Sequence, residues 1–75
     1  MGAISYYQIN DYDIDLLLLL SQGYTQEQIA SNFKSQQITP NGLRTIEKRI
    51  NRLKEELKAK NNPQLVATAK DMGII

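Results

Sequence analysis

The sequence of 75 residues predicts an all-α fold with four helices, on three observations. β-Branched residues are sparse and never alternate with polar residues over a strand-length segment, so no strand is predicted. Helix start signals recur four times along the chain, and two of the predicted helices end at a glycine. A chain of this length has too few residues to bury a second core, so the four helices form one domain.

The first two helices have strong local signals. Asn10 and the aspartates that follow it place a polar N-cap and negative charge at the positive end of a helix dipole, and Gly23 ends this helix. Thr25 and Gln28 have the spacing of a capping box and open a short second helix. The sequence therefore predicts helices over residues 11–22 and 26–34, after an N-terminal extension or linker at residues 1–8.

The third and fourth helices are predicted from their prolines. Thr39-Pro40 and Asn62-Pro63 each place a capping residue before a proline, which is well tolerated at the first helical position because its missing N–H needs no partner there. The fourth helix ends at Gly73. These signals predict helices over residues 40–60 and 63–72.

Composition excludes several classes of function. The chain has no Cys and no His, so it has no disulfide, no ordinary zinc site and no Ser-His-Asp or Cys-His nucleophile. Asp11, Asp13 and Asp15 have part of the spacing of a calcium loop, but they lack its Gly and its closing Glu, and no partner chemistry supports an acid–base pair. The longest apolar run, Leu16–Leu20, is far too short for a membrane span. The sequence predicts a cytoplasmic protein that is not an enzyme and needs no cofactor or metal.

The third helix combines an apolar stripe with a basic edge. The stripe has helical spacing and comprises Leu43, Ile46, Ile50, Leu53 and Leu57. Residues 43–60 contain seven basic and three acidic residues, whereas residues 1–33 contain four acidic residues and no Lys or Arg. The net charge of +1 is thus a cancellation between two oppositely charged segments. A solvated surface helix and a short coiled coil remain alternative interpretations of this pattern.

Four segments in order resemble a known DNA-binding domain. They are "INDYDIDLLLLLSQG" (9–23), "YTQEQIASNF" (24–33), "RTIEKRINRLKEEL" (44–57) and "LVATAKDMGII" (65–75). Together they resemble the LuxR-type helix-turn-helix domain, also called NarL/FixJ or GerE-like, which is the output domain of many bacterial response regulators. The resemblance implies that the second helix is a scaffold helix and the third a recognition helix.

Two departures from the family pattern are visible. The segment between Phe33 and Thr45 is several residues longer than the family's turn, which predicts a lengthened turn and an extra N-terminal turn on the recognition helix. Arg49 stands where the family often has His, and Glu47 stands where it often has Lys. Glu47 can accept a hydrogen bond from cytosine or hold neighbouring basic side chains, and the sequence does not choose between these roles.

The resemblance implies sequence-specific binding of double-stranded DNA and regulation of transcription. The predicted contacts from the recognition helix are Arg44, Thr45, Lys48, Asn51 and Arg52. Further candidates for DNA contact are Thr25, Gln26, Lys34, Glu47 and Arg49. The family also implies a homodimer on DNA through the fourth helix and an upstream receiver or other regulatory domain that this chain lacks. Candidate interface residues are Leu18, Leu65, Val66 and Ala69.

Two alternative functions remain open from the sequence. A sigma-factor region-4-like module would use its helix-turn-helix on promoter DNA while bound to RNA polymerase. A helical protein-interaction module would use the apolar stripe of the third helix and would not bind DNA. The tyrosines at positions 6, 7, 12 and 24 lie outside the basic segment, so we expect them to pack within the protein rather than stack on bases.

Overall fold

The computed structural model describes residues 9–75, which form four α-helices and no strand. Helix α1 is Asp11–Ser21, α2 is Gln26–Ser35, α3 is Leu43–Glu56 and α4 is Asn62–Asp71. The predicted all-α fold with four helices is confirmed. The predicted extension at residues 1–8, with Tyr6 and Tyr7, lies outside the described residues.

The core is built from one face of every helix. α2 packs mainly on α3 and α1 mainly on α4, and the pairs α1–α2 and α3–α4 close the bundle. The fully buried apolar side chains are Leu16, Leu17, Ile29, Phe33, Ile46, Ile50, Leu53, Leu65 and Ala69. The predicted stripe of α3 is therefore buried, except at its first member: Leu43 is 44% exposed.

The N-termini of α1 and α2 form as their sequences predict. The Asn10 side chain accepts a hydrogen bond from the Asp13 backbone N–H, and the Asp13 carboxylate accepts one from the Asn10 N–H. Thr25 and Gln28 make the same reciprocal pair at the start of α2. Each capping box satisfies two N–H groups that would otherwise lack a partner at a helix start.

Helix α3 begins later than predicted, at Leu43 rather than at residue 40. Its N-cap is Gly42, which offers no side-chain acceptor, so the predicted cap of Thr39-Pro40 is wrong. The Pro40 carbonyl instead accepts a hydrogen bond of 2.6 Å from the Tyr12 hydroxyl, and residues 36–42 form an irregular connection. Residues 36–42 thus connect α2 to α3, and the extra N-terminal helical turn predicted for α3 is absent.

Helix α3 also ends earlier than predicted, at Glu56 rather than at residue 60. Lys58 adopts a left-handed conformation (φ 57°), and the Ala59 N–H donates to the Lys54 carbonyl, which closes the helix. α2 ends in the same way with Gln37 in the left-handed position (φ 58°). After α1 and α4 the left-handed residue is a glycine, Gly23 or Gly73. The sequence predicts the ends of these two helices to within one residue.

Helix α4 starts close to its predicted position. Asn61 rather than Asn62 is the N-cap, and its side-chain oxygen accepts a hydrogen bond from the Gln64 N–H. Pro63 lies in the first turn, as expected. Within residues 9–75, no helix is long and apolar enough to cross a bilayer.

Candidate nucleic-acid interface

One face of α3 is exposed and carries polar side chains with nucleic-acid chemistry. Arg44, Lys48 and Asn51 are exposed and follow one another at helical spacing, with Glu47 exposed beside them. Within residues 9–75 the structure gives none of these four side chains a hydrogen bond or an ion pair. We call this set of four residues the α3 outer face. Four of the predicted contacts are therefore brought together on one accessible surface.

The C-terminal end of α3 and the residues just after it carry charge of both signs. Lys58 and Glu55 are exposed and Lys54 is half-buried. Lys58 lies beyond the helix, so these residues add two lysines and one carboxylate near the end of α3. The result is a mixed polar surface with an excess of positive charge.

The edge of α3 that faces Asp13 of α1, called here the inner edge, carries the other two arginines of this helix. Arg49 donates from Nε and Nη2 to Asp13 Oδ1 at 3.1 and 2.7 Å. Arg52 Nη2 donates to Asp13 Oδ2 at 3.1 Å. The Asp13 side chain is completely buried, whereas those of Arg49 and Arg52 are 26% and 35% exposed. We call these three residues the Asp13 cluster.

The Asp13 cluster explains how a carboxylate is tolerated in the core. A buried charge is costly unless it is paired and its remaining acceptors are hydrogen-bonded. Asp13 meets both conditions, because two guanidinium groups and the Asn10 N–H surround it. The Arg49 guanidinium also lies 4.9 Å from the centre of the Tyr12 ring, which is a cation–π contact.

Two of the candidate DNA contacts are engaged within the protein. Arg52, a predicted contact of the recognition helix, and Arg49, a further candidate, both bind Asp13 on the inner edge of α3, and their contact with DNA stays a prediction. A sequence signal for this was present. Asp13 precedes Leu16 and Leu17 by three and four residues, which places it on the buried face of α1. An acid at such a position requires a cationic partner, and arginines three residues apart on α3 supply it.

Tyr12 ties the α2–α3 connection to α1. Its ring packs edge-on against Phe33, with ring centres 5.1 Å apart, and its hydroxyl donates to the Pro40 carbonyl. Burial raises the pKa of the Tyr12 hydroxyl above its usual value of 10.0, and the nearby Arg49 cation opposes this. The expectation that Tyr12 packs within the protein is confirmed, and Tyr24 likewise packs half-buried against the core. Tyr12 thereby fixes the approach to the start of α3.

The candidate DNA contacts of α2 lie at the two ends of this helix. Thr25 is exposed but its hydroxyl is engaged in the capping box, and Gln26 is half-buried next to it. Lys34 is exposed in the last turn of α2. Thr45 is half-buried in the first turn of α3.

The candidate interface residues separate into two groups. Leu65 and Ala69 are fully buried in the core of this chain, so the prediction that they lie at an interface is wrong for this fold. Their helical spacing indicates one face of α4, and that face is the inward one. Val66 is half-buried and Leu18 is 39% exposed, so both reach the surface.

The aspartates of α1 have separate surroundings. Asp11 and Asp15 are exposed, whereas Asp13 is bound by the two arginines. In the part of the chain that the structure describes, no group of three or more His, Cys, Asp or Glu side chains is placed to hold a metal ion.

Comparison with known proteins gives one match. A family model described as a family of unknown function (DUF5932) matches residues 1–73. No curated protein and no solved structure matches the chain significantly.

Proposed function

This chain belongs to that family of unknown function, and we propose that it binds double-stranded DNA in the cytoplasm and regulates transcription. The α3 outer face is the proposed contact surface, and the protein is proposed to act as a LuxR-type helix-turn-helix module. The observation that carries the proposal is the shared exposure of Arg44, Lys48 and Asn51 on one face of α3.

The side chains of the outer face have the chemistry that base recognition requires. Arg and Lys suit the acceptors of guanine in the major groove, and Asn suits the donor and acceptor of adenine. Each good contact of this kind discriminates between bases by about 1–3 kcal/mol. A single α-helix fits the major groove, and α3 presents these residues over two turns.

The helix pair α2–α3 supports the same proposal. α2 packs on α3 and begins with a capping box, so its N-terminal N–H groups and positive dipole end lie near Thr25 and Gln26. Helix N-termini of this kind hold phosphate groups in many proteins. In the proposed complex, α2 holds the DNA backbone while α3 lies in the groove.

The proposed assembly is a homodimer on DNA. The LuxR-type resemblance suggests α4 as the dimer surface and a regulatory domain upstream. With Leu65 and Ala69 buried, the surface of α4 that remains for a partner includes Val66, Ala67 and Lys70. A dimer would double the number of base contacts, which one module cannot supply in sufficient number alone.

Binding to a mixed-sequence duplex as a function of salt tests the proposal. Affinity measured by fluorescence anisotropy is expected to fall steeply with salt, by about 0.9 in log–log slope for each phosphate contact. Arg44→Ala and Lys48→Ala are each expected to reduce the slope by up to about one unit if the residue contacts phosphate, and otherwise to weaken binding to a selected site.

Lys60→Ala is the matched control, because Lys60 is an exposed lysine in the connection between α3 and α4, outside both the outer face and the proposed dimer surface. It is expected to leave the duplex affinity and its salt slope unchanged. Failure of the wild-type chain to bind a duplex at low salt would contradict the proposal and favour the protein-interaction module. Binding that requires RNA polymerase would identify the sigma-factor alternative.

A further inference from the structure

A groove runs along the surface between α1 and the C-terminal half of α2. Its apolar lining comes from Leu18 and Leu19 on α1, Phe33 on α2 and Ile38 in the connection that follows. Its volume is about 190 Å³, and a cavity of about 150 Å³ accommodates a benzene-sized molecule. The groove, called here the Leu18 groove, can therefore hold one large side chain.

Leu18 is the exposed apolar residue of this groove. It lies on a stripe of α1 whose other members, Asp11, Asp15 and Gln22, are polar and exposed. α1 already buries Leu16 and Leu17 completely, so Leu18 is not needed to complete the core of this chain. Its apolar surface stays in water unless another molecule covers it.

The edge of the Leu18 groove is negatively charged. Asp15 lines the groove and Asp11 lies one turn before it, and the structure gives neither carboxylate an ion pair within residues 9–75. Helix α1 contains no Lys or Arg. The charge of Asp13 is already matched by the Asp13 cluster, so Asp11 and Asp15 are the acids left to attract a cation.

We propose that the Leu18 groove docks a segment of another protein that presents a large aliphatic side chain next to Lys or Arg. The aliphatic side chain fills the groove against Leu18 and Ile38, and the basic side chain pairs with Asp15. This charge complementarity selects a basic partner over an acidic one. The inference does not rest on DNA binding, because no residue of the groove belongs to the α3 outer face.

Amide side chains on the far wall of the groove suit a peptide partner. Gln36 Nε2 donates to Asn32 Oδ1 at 2.9 Å, and both residues line the groove. Amide groups held in this way can exchange hydrogen bonds with the backbone of a docked segment. The groove shares no residue with the α3 outer face.

Selection of displayed random peptides on the full chain tests this proposal. Bound peptides are expected to be enriched in Leu, Ile or Met adjacent to Lys or Arg. Leu18→Ser is expected to weaken binding of a selected peptide about tenfold, as measured by calorimetry with that synthetic peptide. Asp15→Lys is expected to remove the preference for basic residues and to favour acidic ones.

Leu43→Ser is the matched control, since Leu43 is an exposed leucine on a different helix. It is expected to leave peptide affinity unchanged, and circular dichroism checks that every variant is folded. Selection of peptides without the aliphatic–basic pair, or affinity that is insensitive to Leu18→Ser, would overturn the proposal. So would self-association of the wild-type chain that Leu18→Ser abolishes, because the occupant would then be a second copy.

Discussion

The outer face and the inner edge of α3 each carry two basic residues, but the surroundings of these residues are opposite. On the outer face, Arg44 and Lys48 are exposed with no partner given within residues 9–75. On the inner edge, Arg49 and Arg52 bind a completely buried carboxylate. The difference is made by Asp13 on another helix. A count of basic residues on one helix therefore overstates the charge that is available to a polyanion.

This comparison also assigns different energetic consequences to the two edges. Exposed charges contribute little to stability, because water and salt screen them. A buried charge that loses its partner is destabilising by several kcal/mol. Stability measurements should therefore respond strongly to changes in the Asp13 cluster and weakly to changes on the outer face.

Removal of the buried carboxylate should have the largest effect. Asp13→Ala is expected to lower the free energy of unfolding by about 2–4 kcal/mol, because it breaks the capping box of α1 and leaves two guanidinium groups without their anion. The partial exposure of both arginines keeps the loss below that of a fully buried pair. Urea denaturation followed by circular dichroism measures this change.

Asp13→Asn separates the contribution of the helix cap from that of the charge. Asparagine can still accept the capping hydrogen bond, but it carries no charge to pair with the arginines. It is expected to retain part of the stability that Asp13→Ala loses. Equal stability of Asp13→Ala and the wild-type chain would show that the Asp13 cluster does not hold α1 against α3.

Removal of one inner arginine should have a smaller effect. Arg52→Met and Arg49→Met are each expected to lower the free energy of unfolding by about 1–3 kcal/mol, because each leaves Asp13 with fewer donors. Lys48→Met on the outer face is the matched control and is expected to change stability by less than about 0.5 kcal/mol. Thermal unfolding of the three variants makes the comparison.

A double-mutant cycle sharpens the same test. Asp13→Ala combined with Arg52→Met is expected to cost less than the sum of the single changes, since the two residues share one interaction. If the losses of unfolding free energy from the two single changes are strictly additive, Arg52 does not interact with Asp13 in solution.

Removal of the Tyr12 hydroxyl should have the smallest effect. Tyr12→Phe keeps the ring against Phe33 and loses the hydrogen bond to Pro40, which predicts a loss of about 1 kcal/mol. Because burial raises the pKa of Tyr12, the neutral hydroxyl is favoured in the folded state. Its contribution is fully present below pH 10.0 and is lost as the pH rises through the raised pKa.

Urea denaturation of Tyr12→Phe and the wild-type chain across alkaline pH isolates this contribution. The difference between the two stabilities is expected to narrow above pH 10.0, because only the wild-type chain can ionise at this position. A difference that stays constant across that range would contradict the raised pKa.

Features encoded by neighbouring residues could be predicted from the sequence. The N-cap at Asn10 and the capping box at Thr25 depend on residues three positions apart, and both formed as predicted. Gly23 and Gly73 marked the ends of α1 and α4, because glycine adopts the left-handed conformation without a steric cost. The number of helices followed from these signals.

Features that depend on distant residues could not be predicted. The connection before α3 carries a hydrogen bond from Tyr12 of α1 to Pro40, and Lys58, just after α3, adopts a conformation that glycine normally adopts. The role of Arg52 depends on Asp13, which lies 39 positions away. The apolar spacing of α4 identified Leu65 and Ala69 as one face, but only packing shows that this face points inward.

The ion pairs of the Asp13 cluster also constrain the order in which the chain folds. The side-chain caps of α1, α2 and α4 join residues three positions apart, so they can form as soon as each helix nucleates. The bridges to Arg49 and Arg52 span 36 and 39 positions and form only after the intervening chain has closed on itself. We therefore expect the first turn of α1 to become fully stable only in the cooperative step in which α3 docks.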